Sequence, residues 1–154
     1  MKKFLCVMLA RIMVLAMAAC GSPNSEPVAE TKVMNISVDG VVIEYKMDAV
    51  DDIIQTLIQT STLDKAMFAE DEVAAFEASF EQYEAIYAEI EGVTYETQST
   101  DTELIEIITM DVSNSDTIKT LADSGLLPVD GSTKRLSLSG TVEGLQEQGW
   151  VLQE

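Results

Sequence analysis

The sequence predicts an α+β domain, an antiparallel sheet packed against one long amphipathic helix and two short helices. Three observations carry that expectation. Asp39-Gly40 separates two runs rich in β-branched residues. Glu70 to Glu91 repeats apolar side chains at helical spacing. Two more β-rich runs, 93–98 and 103–112, follow with only a short polar turn between them. Strands that follow one another through tight turns pair as hairpins, and an amphipathic helix must bury its stripe on something.

The chain from Lys32 to Met47 reads KVMNISVDGVVIEYKM. Asp-Gly is the pairing that a tight type I′ turn asks for, since both central residues need positive φ. Strands are expected near 32–38 and 41–47. In the second, Val41, Ile43, Tyr45 and Met47 alternate with Val42, Glu44 and Lys46, which describes one dry face and one wet one.

Asp48 to Leu63 supports two readings. Val50, Ile53, Ile54, Leu57 and Ile58 fall at helical spacing behind a possible Asp48 cap. Ile53 to Thr62 is also dense in β-branched residues, which suit a strand. The residues alone leave the two level.

Val73, Phe76, Phe80, Tyr83, Tyr87 and Ile90 alternate in steps of three and four, forming one apolar stripe of the long helix. Gly92 stands where a left-handed residue would end it. Glu70, Glu77, Glu81, Glu84 and Glu91 gather along a solvent edge, and the segment holds no Lys or Arg. That edge is either a solvated face of an acidic protein or a docking face for cations or a basic partner.

Asp111 to Asp116, DVSNSD, imitates the start of a calcium loop but fails as one. Asp116 takes the place of the turn glycine and Ala122 that of the twelfth, acidic ligand. Ser115 or Asp116 is expected to cap a short helix that runs to about Ser124 and ends at Gly125. Leu136 to Leu138 is a candidate short strand. Thr141 opens a last helix ending near Gly149, and Trp150-Val151-Leu152 is expected to pack back on the core.

The first twenty residues set the location. Lys2 and Lys3 precede Phe4 to Ala19, a run interrupted only by Arg11. It is shorter than the roughly 20 apolar residues that span a bilayer. A basic start, a short apolar run and small residues describe an export signal. Ala18-Ala19-Cys20 resembles the bacterial lipobox, with Met17 where Leu is usual. The resemblance implies cleavage before Cys20, a diacylglyceryl group on its sulfur and acylation of the new amino terminus. A plain cleaved signal and an uncleaved anchor are the alternatives. The expected organisation is a signal peptide at 1–19, a lipidated tether at 20–31 and one α+β domain at 32–154. Gly21 to Thr31, GSPNSEPVAET, has a tether's composition. The expected location is the extracytoplasmic face of a bacterial membrane.

Composition excludes much chemistry. Cys6 and Cys20 are the only cysteines, and there is no histidine. Beyond Cys20 there is no disulfide, no thiolate nucleophile and no Cys or His metal site. Ser/His and Cys/His catalysis are impossible there, and no Asp or Glu stands out in an apolar setting. An enzyme is not expected, nor a cofactor. Without the leader's Lys2, Lys3 and Arg11, 27 acidic residues face six basic ones, for a net charge of −21. Such a surface repels nucleic acid and anionic lipid. Three readings remain: a module that binds a protein partner, a small-ligand carrier with a pocket near Tyr45, Tyr95 or Trp150, and an acidic cation binder.

A hairpin, a Thr/Gln-rich run, a long helix leading into Gly92-Val93-Thr94-Tyr95, Ser113-Asn114-Ser115-Asp116, and Leu145-Gln146-Glu147-Gln148-Gly149-Trp150 occur in that order. This arrangement resembles the YehR-like bacterial lipoproteins, a family of unknown function, with Trp150 where Phe is more usual. The resemblance implies an antiparallel sheet with packed helices, favours a strand for Ile53 to Thr62, and places the lipid-bearing cysteine at Cys20. It brings no catalytic or cofactor residue.

Overall fold

A computed structural model describes residues 26–153. Strands β1 (Ala29–Val38), β2 (Val41–Val50) and β3 (Ile53–Asp64) form a meander. A 3₁₀ turn, Lys65–Met67, leads to helix α1 (Glu70–Tyr87). Strands β4 (Val93–Ser99) and β5 (Glu103–Asp111), helices α2 (Ser115–Asp123) and α3 (Leu138–Glu147), and strand β6 (Val151–Gln153) complete the chain. The sheet order is β4-β5-β3-β2-β1-β6, and every neighbouring pair is antiparallel. The expected α+β class and the three helices are observed.

Two hairpins set the register. At the first, Asp39 and Gly40 have φ of 49° and 84°, the double positive conformation expected of Asp-Gly. Space also dictates the glycine: a Cβ there would lie 2.8 Å from the Met67 Cβ. The second hairpin turns on Asp51 and Asp52, with φ of 51° and 64°. Aspartate tolerates the left-handed region better than most residues, because its short polar chain bonds locally. This turn resolves the ambiguous segment as a strand. The helical spacing has its own physical cause. Ala49 pairs with Ile54 but Asp48 pairs with Thr56, so Gln55 is an extra residue on β3. The bulge reverses parity, and Ile54 and Leu57, three apart, both point into the core.

β1 begins earlier than expected. Ala29, Glu30 and Thr31 pair with Val50, Ala49 and Asp48, and the Thr31 hydroxyl donates to the Asp48 carboxylate at 2.6 Å. Cross-strand pairing thus takes up the end of the polar tether. For the same reason β2 runs on to Val50.

One face of the sheet carries Met34, Ile43, Tyr45, Met47, Leu57, Ile108 and Met110 into the core beneath the helices. α1 contributes Phe80 and Tyr87, and half-buries Val73, Phe76 and Tyr83, so the stripe packs as expected. The helix stops at Tyr87, short of Glu91. Ile90 is buried in the turn beyond, and Gly92 enters β4 with φ of 81°. A side chain at Gly92 would press on the Thr117 hydroxyl at 3.1 Å.

The other helix starts also differ in detail. Asn114, not Ser115 or Asp116, caps α2, its side chain accepting from the Asp116 N–H at 2.8 Å. α3 opens at Leu138 rather than Thr141, behind the Ser137 cap. The candidate strand at Leu136 to Leu138 therefore reduces to a single bridge between Ser137 and Ile53. Trp150 is buried and Leu152 packs against the core as expected, but Val151 is exposed, because the chain beyond Trp150 pairs with β1 as a short strand.

Candidate functional site

The sheet's covered face holds a row of polar groups inside the core. Along β5, Leu104, Glu106, Ile108 and Met110 all point inward, so Glu106 occupies a core position and is only 5% exposed. Its cross-strand neighbour on β3 is Ser61, and Tyr95 reaches it from β4. The Tyr95 hydroxyl donates to Glu106 Oε1 at 2.8 Å, and Ser61 supplies a second hydrogen bond. The row continues through β3 and β2. Gln59 Nε2 donates to Ser61 Oγ at 3.3 Å, and the Tyr45 hydroxyl donates to Gln59 Oε1 at 3.1 Å. Among the described residues no buried side-chain nitrogen or oxygen lacks a partner.

Aromatic rings close over both ends. Tyr87 of α1 stacks on Tyr95 with centroids 5.3 Å apart, and Trp150 stacks on Tyr45 at 4.7 Å. Burial pushes the Tyr87 hydroxyl up to about 12, with the Glu106 and Tyr83 charges acting the same way. Burial also raises Tyr45 and Tyr95 above the usual phenol range. Glu106 is raised as well, because desolvation outweighs the bonds from Tyr95 and Ser61.

A raised carboxyl beside a phenol is the raw material of general acid–base work. Here both groups are engaged with one another under α1, and the row's hydrogen bonds run along and between neighbouring strands of the sheet. The sequence reading found no acid in an apolar setting, and Glu106 corrects it. Ile105 and Ile107 at one parity and Leu104, Ile108 and Met110 at the other are all apolar, so alternation alone leaves the face of Glu106 open. The usable signal was Leu104, Ile108 and Met110 at the same parity.

Glu106→Gln keeps an acceptor for Tyr95 and removes the buried charge. For a raised carboxyl, the protonated form favours folding below the ordinary glutamate range, and that advantage is lost as pH rises through the folded value. The variant is therefore expected to be more stable than wild type near neutral pH, by on the order of 1 kcal/mol. The gap should close as pH falls below the ordinary glutamate range. Urea unfolding across that span measures it, and a pH-independent difference would contradict the assignment.

Other residues singled out by the sequence lie apart from this row. Cys20 is outside the described residues. Glu70, Glu77, Glu81, Glu84 and Glu91 are all exposed, and Glu77 is engaged with Lys65 at 3.6 Å and Ser99 at 3.0 Å. Among the described residues no three acidic side chains converge as a metal site. Asp111 spends its carboxylate on the Ser113 N–H at 3.0 Å, a local turn rather than a ligand loop.

Among the described residues no helix packs on the opposite face of the sheet. This face presents Val33, Val42, Ile58, Ile105 and Ile107 among Thr56, Thr60, Thr62, Thr94 and Thr109. These isoleucines are half-buried and Val42 is 41% exposed. Glu44, Asp48, Glu96, Glu103 and Asp111 stand around them, and Lys46 is the one basic residue of the face.

Comparison with known proteins agrees with this architecture. The NMR structure of Escherichia coli YehR matches with a TM-score of 0.63 at 18% identity, over 83% of this chain and 93% of that one. The NMR structure of a protein from Streptococcus pneumoniae TIGR4 matches with a TM-score of 0.50 at 16% identity, over 90% and 94% of the two chains. At such identities the likeness is one of fold. No curated protein matches. A family described as proteins of unknown function, DUF1307, matches residues 30–151, from the start of β1 into β6. A match across the whole sheet and all three helices places the chain in that family, the YehR-like proteins of unknown function.

Proposed function

We propose that the protein is a lipoprotein of the bacterial cell envelope, a non-enzymatic binding module held on the extracytoplasmic face of a membrane through Cys20. The observation that carries this reading is the leader: Lys2-Lys3, a short apolar run, and Ala18-Ala19 immediately before Cys20. The fold is compatible with it. β1 starts at Ala29, so only about eight residues separate the lipid-bearing cysteine from the sheet. At about 3.3–3.6 Å per extended residue that tether reaches no more than about 30 Å, which keeps the domain near the surface. No described helix is long and apolar enough to cross a membrane. More than one acyl chain makes lipid attachment stable.

A binding role rather than catalysis is supported by the engaged state of Glu106 and by the lack of His and of any Cys beyond Cys20. The test is Cys20→Ala expressed in a bacterial host. The native protein is expected in the membrane fraction, with its mass spectrum showing cleavage before an acylated Cys20. The variant is expected to lose the lipid and leave that fraction. An unmodified Cys20, or a variant still anchored, overturns the reading.

A further inference from the structure

The sheet's uncovered face has a definite geometry. Asn35, Glu44, Thr60, Ile107 and Glu96 form one cross-strand row over β1, β2, β3, β5 and β4. Glu44 and Glu96 are three strands apart, about 14 Å at the usual spacing. Between them Ile107 and Thr60 are flanked by the row of Val42, Thr62 and Ile105 on one side and by Ile58 and Thr109 on the other. The centre is thus a strip of isoleucine and threonine running along the strands with a carboxylate at each margin. Its width fits a helix, about 10–12 Å across with side chains. The one cation of the face, Lys46, already leans toward Asp48, with Nζ 3.7 Å from Oδ2.

Charge selects among possible occupants. A second copy would set Glu44 and Glu96 against like charges, in a chain whose 27 acidic residues face nine basic ones. Anionic lipid is repelled for the same reason. A lysine- or arginine-flanked apolar helix is attracted to both margins while covering the isoleucines, as α1 covers the other face. We propose that this face docks a basic amphipathic helix of a partner protein, an inference that gives the binding module proposed above its partner class.

The test uses the lipidated chain from Cys20 onward on phosphatidylcholine vesicles and a fluorescent 18-residue amphipathic peptide of Lys and Leu. The same pattern in Glu and Leu, and protein-free vesicles, are the controls. Anisotropy is expected to show saturable binding of the Lys peptide only, weakening as salt rises. Glu44→Lys with Glu96→Lys is expected to weaken it at least about tenfold. Ile107→Thr, which preserves strand propensity, should weaken it several-fold, with melting curves confirming that each variant is folded. Glu81→Lys with Glu84→Lys on α1 should leave affinity unchanged. Equal loss from the α1 pair would mean diffuse attraction and overturn the site. So would binding of the Glu peptide, binding to protein-free vesicles alone, or self-association that cross-links Ile107 faces together. Peptide binding is read whether or not the chain is held by the vesicle, so failure of the Cys20 anchor and failure of the face give separate results.

Discussion

Trp150→Ala is expected to destabilise the domain by about 3–5 kcal/mol, the range for emptying a large buried aromatic site. The indole is 4% exposed and lies parallel to Tyr45, with an interplanar angle of 11°. Its backbone N–H donates to the Leu145 carbonyl at 3.0 Å, closing the end of α3. Directly after it β6 adds a short strand to β1. Removing the ring therefore loosens three things: the packing under α3, the docking of β6, and the cover over the Tyr45 end of the polar row. Small domains hold only about 5–15 kcal/mol in total, so a fall in Tm of more than about 10 °C should follow. Trp150→Phe retains a ring and should cost less than about 2 kcal/mol. The Tyr45 phenol gives an independent readout. Burial holds it above the ordinary range, so ultraviolet titration of the alanine variant should show one tyrosine moved back toward normal. A Trp150→Ala protein with unchanged Tm would show that the indole is not part of the core.

The contrast between what the sequence displays and what it conceals follows from range. Local rules suffice for the Asp39-Gly40 turn and the stripe of α1, since each needs only neighbours within a turn or two. Trp150 was legible because a lone aromatic after a helix-ending glycine has few alternatives to the core. The bulge at Gln55 was not legible, because an inserted residue makes a strand counterfeit helical spacing, and only its pairing with β2 exposes it. Glu106 was concealed for a related reason. Both faces of β5 are apolar, so parity is decided by which face α1 covers, a tertiary fact. The open face is the other half of that decision: Ile105 and Ile107 lie on the uncovered side. Asp51-Asp52 carries no glycine, and its role appears only when Ser137, far along the chain, arrives beside it.

That last contact supports the second large effect. Asp52→Ala is expected to cost about 2–4 kcal/mol, because two separate losses combine. The Asp52 carboxylate accepts from Ser137 Oγ at 2.7 Å, from the Ser139 N–H at 2.8 Å and from Ser139 Oγ at 2.9 Å. It sits at the amino end of α3, where a negative charge is favoured and the helix N–H groups need acceptors. Hydrogen bonds to a charged group are each worth about 1.5–3 kcal/mol net, less where water competes. Alanine also resists φ of 64°, at about 1–2 kcal/mol. Two substitutions separate these causes. Asp52→Gly relieves the backbone but loses the acceptor, and Asp52→Asn keeps an acceptor and the left-handed tolerance but loses the charge. The expected order of stability is wild type, Asn, Gly, Ala. The pH dependence runs opposite to that of Glu106. Burial would raise Asp52, but the bonds from Ser137 and Ser139 outweigh it and hold the carboxyl below the ordinary value. A lowered carboxyl contributes fully above the ordinary aspartate range, and the contribution is lost as pH falls through the folded value. The gap between wild type and Asp52→Asn should therefore narrow on acidification, whereas the Glu106→Gln variant loses its advantage over the same fall. Wild-type stability minus variant stability should fall toward zero from a positive value for Asp52→Asn and rise toward zero from a negative value for Glu106→Gln. Two differences of the same sign would show that one of these carboxyls has been assigned the wrong environment.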